Sequence, residues 1–282
     1  ATGQHFELAE VRPVAGGCIN ETFQLKGRGG SYFLKTNSQD SLAMFEAEAA
    51  GLEAIRASNS LRAPRPIATG VSGGISWLVL EFIAFSPNQG SCGRRLGQGL
   101  AAMHRFAADH FGWERDNTIG ATPQPNAQSP DWVDFFRRER LGFQRSLAER
   151  NRAPRELLRD LSTLQDRLEV FFNDYHPVPS LLHGDLWGGN WAVDAGGEPV
   201  IFDPAVYWGD READIAMTEL FGGFDSDFYG AYGEAWPLDP GYSVRRDLYN
   251  LYHVLNHFNL FGGGYARQAL SMVSGLLAES SA

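Results

Sequence analysis

The hydrophobic period of the chain changes near residue 85, and that change limits the folds open to it. Before it, "TFQLKG" and "SYFLKT" are short apolar-alternating runs of the kind that forms half-buried strands, and "GRGG" between them marks a hairpin. Asp40 then precedes a stretch in which Leu42, Phe45, Ala49, Leu52 and Ile55 recur at helical spacing. Two prolines in "RAPRPIATG" end that helix, and "SWLVLEFIAF" is a nearly continuous apolar run suited to a buried strand. From about residue 91 the pattern is mainly helical. Leu96, Leu100, Met103 and Ala107 mark one helix, and Leu157, Leu161, Leu164, Leu168 and Phe171 mark another. "SPDWVDFF" opens a helix between them, with Ser129 as the expected cap and Pro130 at the first position. Helices resume near Ile215. The expectation is a two-lobed α+β protein. Residues 1–83 would form an antiparallel-sheet lobe and residues 84–282 a mainly helical one.

Composition narrows the function classes. At 282 residues the chain can bury a sizeable core, and no apolar run approaches the roughly 20 residues that cross a bilayer. A net charge of −10 disfavours nucleic acid and anionic membranes as partners. A phosphorylated substrate would therefore need a local cationic site or a metal ion. The opening "ATGQHFELAE" has neither the basic nor the apolar segment of a secretory signal, and Cys18 and Cys92 make no disulfide framework. A reduced, cytoplasmic setting is the expectation.

Two polar loops interrupt the helical part, within "LLHGDLWGGN" at 181–190 and "VIFDP" at 200–204. Asp185 is followed by Asn190, and then by Asp203. The oxygen-bearing pair Asn190 and Asp203 suits Mg²⁺, a hard cation that takes one or two carboxylates plus substrate phosphates. Asp185 is then left to accept the proton of an attacking hydroxyl, and phosphoryl transfer needs little beyond this positioning and charge neutralisation. Lys35 closes the second hairpin strand, where it can meet the phosphates of a nucleotide. Glu48 lies about 55° from the centre of the apolar face of the following helix and Glu46 nearly twice as far round, so Glu48 is the better partner for Lys35. Gly16 and Gly17 read either as a hairpin turn or as a loop covering phosphates.

Taken in order, Lys35, Glu48, "LVLEFI", "HGDLWGGN" and "FDP" resemble the aminoglycoside phosphotransferase and protein-kinase-like superfamily. Through "GGCIN", "FLKTN", "FGWERDNTIGATPQPN", "HGDLWGGNW" and "DPAVYWGDREADIAMTELFGGF" the finer resemblance is to the fructosamine kinase (ketosamine-3-kinase) family. That resemblance implies an ATP- and Mg²⁺-dependent kinase acting on the O3 hydroxyl of a ketosamine: a fructosamine, ribulosamine or erythrulosamine adduct, free or protein-bound. The phosphorylated ketoamine then releases its amine, so the implied role is deglycation. The alternative is a kinase of the same fold acting on an aminoglycoside, choline or homoserine. Glu81 and Ile83 would fall on a hinge strand offering backbone groups to adenine. Asp214 would accept backbone N–H bonds from the catalytic loop. Cys18 would act as a redox switch through an intersubunit disulfide, in a chain that is otherwise a monomer or a homodimer. Two departures from the protein-kinase pattern stand out. Gly184 occupies the place of an arginine, so control by a phosphorylated activation loop is not expected, and "VAGGCIN" is not G-x-G-x-x-G.

Other residues carry two readings each. Trp187 offers a ring to a sugar face or anchors the loop, while Trp191 belongs to the core. His183 is expected to hydrogen-bond backbone and hold the loop, and His104 to be a satisfied core histidine. Asn117, Gln124 and Asn126 either line the sugar site or pack on the helical lobe.

Overall fold

The structure is a computed structural model that describes residues 6–14, 19–86 and 92–281. Strands β1 (Glu7–Pro13), β2 (Glu21–Arg28), β3 (Gly30–Ser38), β4 (Pro66–Ser72) and β5 (Ile75–Glu81) form one antiparallel sheet in the order β1-β2-β3-β5-β4. The β2–β3 hairpin turns through Gly29, whose φ of 102° favours a residue without a Cβ. Helix α1 (Leu42–Ala57) covers the sheet with Phe45, Leu52 and Ile55, all fully buried. Two of these strands escape the periodicity. β1 carries charge at Glu7, Glu10 and Arg12 and is exposed along most of its length. β4 begins at Pro66 and lies at the sheet edge, the place where a residue without an N–H is tolerated.

The rest of the described chain is helical around short hairpins. Helix α2 (Gly93–His104) is followed by the hairpin of β6 (Asn117–Ile119) and β7 (Thr122–Gln124). Helix α3 (Trp132–Phe135) runs through a π-helical segment, Phe136–Gly142, into α4 (Phe143–Arg150), and α5 (Arg155–Asp166) packs beside them. Strands β8 (Ser180–Leu182), β9 (Trp191–Val193), β10 (Pro199–Ile201) and β11 (Tyr207–Gly209) precede α6 (Glu212–Leu220), α7 (Ser226–Ala235), α8 (Tyr242–Phe261) and α9 (Tyr265–Glu279). A continuous apolar core reaches from Phe45 and Leu52 on α1 to Val273 and Leu276 on α9. No helix among the described residues is long and apolar enough to cross a membrane.

Three helix boundaries differ from the periodic reading. Helix α2 stops at His104, and Ala107 instead forms a bridge with Ser180. Leu168 and Phe171 continue the apolar stripe of α5 in a separate 3₁₀ turn, Leu168–Phe172. The cap of α3 is Asp131, whose carboxylate accepts from the Asp134 N–H at 2.6 Å. Ser129 shapes the preceding turn, its hydroxyl donating to Asp131 O and accepting from Asp131 N. A cap of comparable strength two residues on sets the helix start instead.

The strand pairings place the two polar loops side by side. β8 pairs with β11 and β9 with β10, so the β8–β9 loop and the β10–β11 loop face each other. Ala205 N donates to His183 O at 2.8 Å and Phe202 N to Asn190 O at 3.0 Å. Arg62, between α1 and β4, joins the sheet to this hairpin pair. Its guanidinium meets Glu81 at 2.9 Å and also Asp194, just after β9.

Candidate active site

Lys35 is buried on β3, and its ammonium donates to Glu48 Oε1 at 2.7 Å and to Asp203 Oδ1 at 2.5 Å. Burial alone would lower the pKa of this lysine, but the carboxylates of Glu48 and Asp203 overcome that and hold it above its ordinary value. The ammonium therefore stays charged. Glu48 is half-buried where Glu46, two residues earlier, is exposed. Glu81 is engaged by its side chain, with Arg62 and with Arg65 N at 3.2 Å, and its backbone N–H already donates to Arg65 O. Ile83 is buried just beyond the end of β5. Gly16, Gly17 and Cys18 lie outside the described residues.

Asp185 sits half-buried at the floor of the cleft. Burial raises its carboxyl to about 7, opposed by a hydrogen bond from Asn190 and assisted by the charges of Asp203 and Asp214. Asn190 Nδ2 donates to Asp185 O at 2.8 Å and to Asp185 Oδ2 at 3.1 Å. That fixes the amide and turns its oxygen away from the aspartate. Asp203 has a φ of 55°, a left-handed conformation uncommon outside glycine, and its side chain is 43% exposed.

This donor set fits a hard divalent cation. Asn190 Oδ1 and Asp203 Oδ2 are oxygens that no described residue binds, and the Asp203 carboxylate is open to the cleft. Among the described residues no group of three His, Cys, Asp or Glu side chains could hold a metal by itself. An ion here would complete its shell with phosphate oxygens and water, the habit of Mg²⁺.

The loop is held from behind by Asp214, in the first turn of α6. Its carboxylate accepts from His183 N at 2.7 Å, Gly184 N at 2.8 Å and His104 Nε2 at 3.2 Å. Burial would raise Asp214, yet the hydrogen bond and charge from His104, with His183 and the Gly184 N–H, hold it below the usual carboxylate range. His104 Nδ1 in turn meets Tyr232 Oη at 2.8 Å. His183 has its pKa lowered by burial, although Asp214, Phe202 O and Asp203 oppose that. Its Nε2 donates to Phe202 O at 3.0 Å and its Nδ1 accepts from Asp185 N at 3.3 Å, which fixes the tautomer. Gly184 has a φ of 81°, and a Cβ there would lie 2.1 Å from Ala205 O. No side chain fits at this position.

Lys35, Glu48, Asp185, Asn190 and Asp203 line a cleft of about 640 Å³. Trp187 is 41% exposed on its wall and folds back over the loop, its ring filling the space a side chain at Gly189 would need. Trp191 is half-buried against Phe224. Asn117 reaches the cleft, whereas Gln124 and Asn126 are buried beneath it. The sequence reading missed the far wall. His257 packs at a tilt among Phe221, Phe261 and Tyr265 at ring-centre distances of 4.9, 5.7 and 5.2 Å. His253, His257 and Phe261 repeat every fourth residue, a spacing that puts them on one face of α8 and could have flagged it.

Fold and cleft together define a kinase-like class of protein. Aminoglycoside phosphotransferase APH(4)-Ia matches with a TM-score of 0.66 at 15% identity, over 98% of this chain and 95% of that one. More specific is the fructosamine kinase family model, which matches residues 1–279. A protein of Synechocystis described as a probable ketoamine kinase is 50% identical over 96% of this chain and 92% of its own. The chloroplastic protein-ribulosamine 3-kinase of Arabidopsis thaliana is 43% identical over 98% and 85%. A solved structure from Haemophilus somnus 129PT, described as a candidate fructosamine-3-kinase, gives a TM-score of 0.88 at 29% identity, over 98% and 93%. The chain belongs to the fructosamine kinase family.

Proposed function

We propose that this chain transfers the γ-phosphoryl group of Mg·ATP to the O3 hydroxyl of a ketosamine, with Asp185 as the base. The observation that carries the roles is the half-buried Asp185 carboxyl, raised to about 7, sharing a cleft with the Lys35–Asp203 pair. Family membership and the relatives' names support the substrate class.

Asp185 takes the proton from the hydroxyl as its oxygen bonds to phosphorus, and the bond to the β-phosphate oxygen breaks to release ADP. Lys35, kept cationic between two carboxylates, meets the phosphates, with Glu48 holding it in place. Asn190 and Asp203 would hold Mg²⁺, which neutralises phosphate charge when bound. Glu81 and Ile83 would offer backbone groups to adenine, and Trp187 would give the sugar an apolar face.

The cleft disfavours the aminoglycoside alternative. Its carboxylates among the described lining residues are Glu48, Asp185 and Asp203, all within the phosphoryl-transfer machinery, so no acidic rim remains for a polycation. ADP release on ribulose-, erythrulose- and fructose-lysine beside kanamycin and choline tests the proposal. A ketosamine should give the highest kcat/KM; a higher value for kanamycin or choline would overturn the substrate while leaving the fold intact.

A further inference from the structure

Among the described residues, Arg140 and Arg211 are buried guanidinium groups with no carboxylate paired to them, and Arg140, the more deeply buried, is linked by hydrogen bonds to Asn117 in the cleft. Arg140 is 0% exposed, in the π-helical segment between α3 and α4. The ion pairs among the described residues include none to Arg140, whose charge rests on the faces of Tyr207 at 3.9 Å and Phe135 at 4.6 Å. Its Nη1 donates to Pro125 O at 2.7 Å and its Nη2 to Asn126 Oδ1 at 2.7 Å, while its Nε has no partner. Burying a cation this way is expensive, and hydrophobic residues of similar size would fill the space more cheaply. The cation is therefore expected to do more than pack.

The hydrogen bonds beyond it run in one direction. A guanidinium can only donate, so Asn126 must present its oxygen to Arg140 and its amide nitrogen elsewhere. That nitrogen donates to Asn117 Oδ1 at 2.9 Å and to Arg115 O at 3.1 Å. Asn117 Oδ1 also accepts from Gln124 Nε2 at 2.8 Å, so the Asn117 nitrogen is left to donate, and it does so to Val206 O at 2.8 Å. Gln124 Nε2 reaches Ala205 O at 3.1 Å, and its oxygen accepts from Tyr252 Oη at 2.7 Å. Backbone carbonyls can only accept, so the far end imposes the same orientation as the near end. Every amide between is fixed from both sides.

The relay ends on Ala205 and Val206, separated from Asp203 by Pro204 alone. Ala205 is also where the two loops meet, through its N–H on His183 O and the close approach of Gly184 to its carbonyl. We propose that Arg140 is a positioning residue for phosphoryl transfer, orienting Asn126, Asn117 and Gln124 so that they hold segment 204–206 and, through it, Asp203 and Asp185. The proposal rests on the roles assigned to those two aspartates.

The test uses Arg140→Met, Arg140→Lys and Asn126→Asp in the full chain. Asn126→Asp keeps an acceptor for Arg140 and supplies the missing counter-ion, but cannot donate to Asn117. Arg140→Met and Asn126→Asp should each lower kcat by about 10²-fold, the scale of a ~1 Å misplacement at reacting groups. KM for the ketosamine should change little, and Arg140→Lys should recover part of the loss. Hydrogen exchange on the ligand-free protein separates this from failure of the catalytic assignment, because it needs no turnover. Amides of 183–186 and 203–207 should exchange faster in both impaired variants while those of α5 and α9 do not. Unchanged exchange in those loops, acceleration spread evenly through the helices, or failure of both impaired variants to fold would overturn the proposal. So would an Asn126→Asp kcat within threefold of wild type.

Discussion

Asp185 shows how a single side chain can be chemically set by its surroundings. Its carboxyl titrates near 7 in the fold because burial disfavours the charged form, whereas an ordinary aspartate titrates near ~4. Only the ionised form accepts a proton, so kcat/KM should fall on the acid side with an apparent pKa near about 7. A pH–rate profile flat down to pH 5 would remove Asp185 as the base. Asp185→Asn should lower kcat by roughly 10²–10⁴, about 3–5 kcal/mol of barrier, with nucleotide affinity almost unchanged. The same shift has a stability consequence of definite sign. The folded state binds this proton more tightly than the unfolded one, so ionising Asp185 costs stability as pH rises from about 4 to about 7. Melting curves should therefore show Asp185→Asn raising Tm at pH 8 by about 2–6 °C, and by almost nothing at pH 4. Asp203 differs, because its carboxylate is half open and half engaged by Lys35. Titrating Mg²⁺ against Asp203→Asn should show a raised metal requirement as well as a lower rate; a dependence identical to wild type would mean that other groups hold the ion.

At the scale of elements, the active loops are short segments that neighbouring elements hold in place. The first turn of α6 ties the β8–β9 loop down through Asp214, and β11 draws the β10–β11 loop against it. The carboxylate of Asp214 receives two backbone N–H groups and one imidazole, all buried, so substitution leaves donors unsatisfied. Asp214→Asn should cost about 1–3 kcal/mol in denaturant unfolding and reduce kcat, through displacement of His183 and Gly184. Gly184→Ala meets Ala205 O and an unfavourable φ together, so it should reduce activity more than its single methyl suggests. Equal activity of Gly184→Ala and wild type would show that the loop can move aside.

Over the whole molecule, two charged contacts among the described residues join the sheet to the helical part, Lys35 with Asp203 in the cleft and Arg62 between Glu81 and Asp194 outside it. Arg62 is 42% exposed, so the pair contributes little to stability, and Arg62→Ala should shift the unfolding free energy by no more than about 1 kcal/mol. Its effect should instead appear as a several-fold rise in KM for ATP, since the junction sets how the strand end at Glu81 faces the hairpin of β9 and β10. An unchanged KM would make it a surface pair without function. Much of this protein was legible from residue order alone. Periodicity gave the β2–β3 hairpin, α1 and the change to helices, because those features depend on neighbours within a few residues. The spacing of Asp185, Asn190 and Asp203 pointed to a candidate site, and the structure brings the three into one cleft, because they sit on two short loops that the chain spells out locally. The strands β1 and β4 were not legible, since edge strands with charge or proline carry no apolar alternation and form only when a partner strand is present. Nor was Arg140, which reads as one charge in the basic run "RRER" until the fold buries it. Its role, like the raised pKa of Asp185 and the orientation of three amides, depends on groups far apart in sequence as well as near ones, Arg140 with Asn126 and Asn117 with Val206 among them, and desolvation and hydrogen-bond direction exist only once the tertiary structure has brought those groups together.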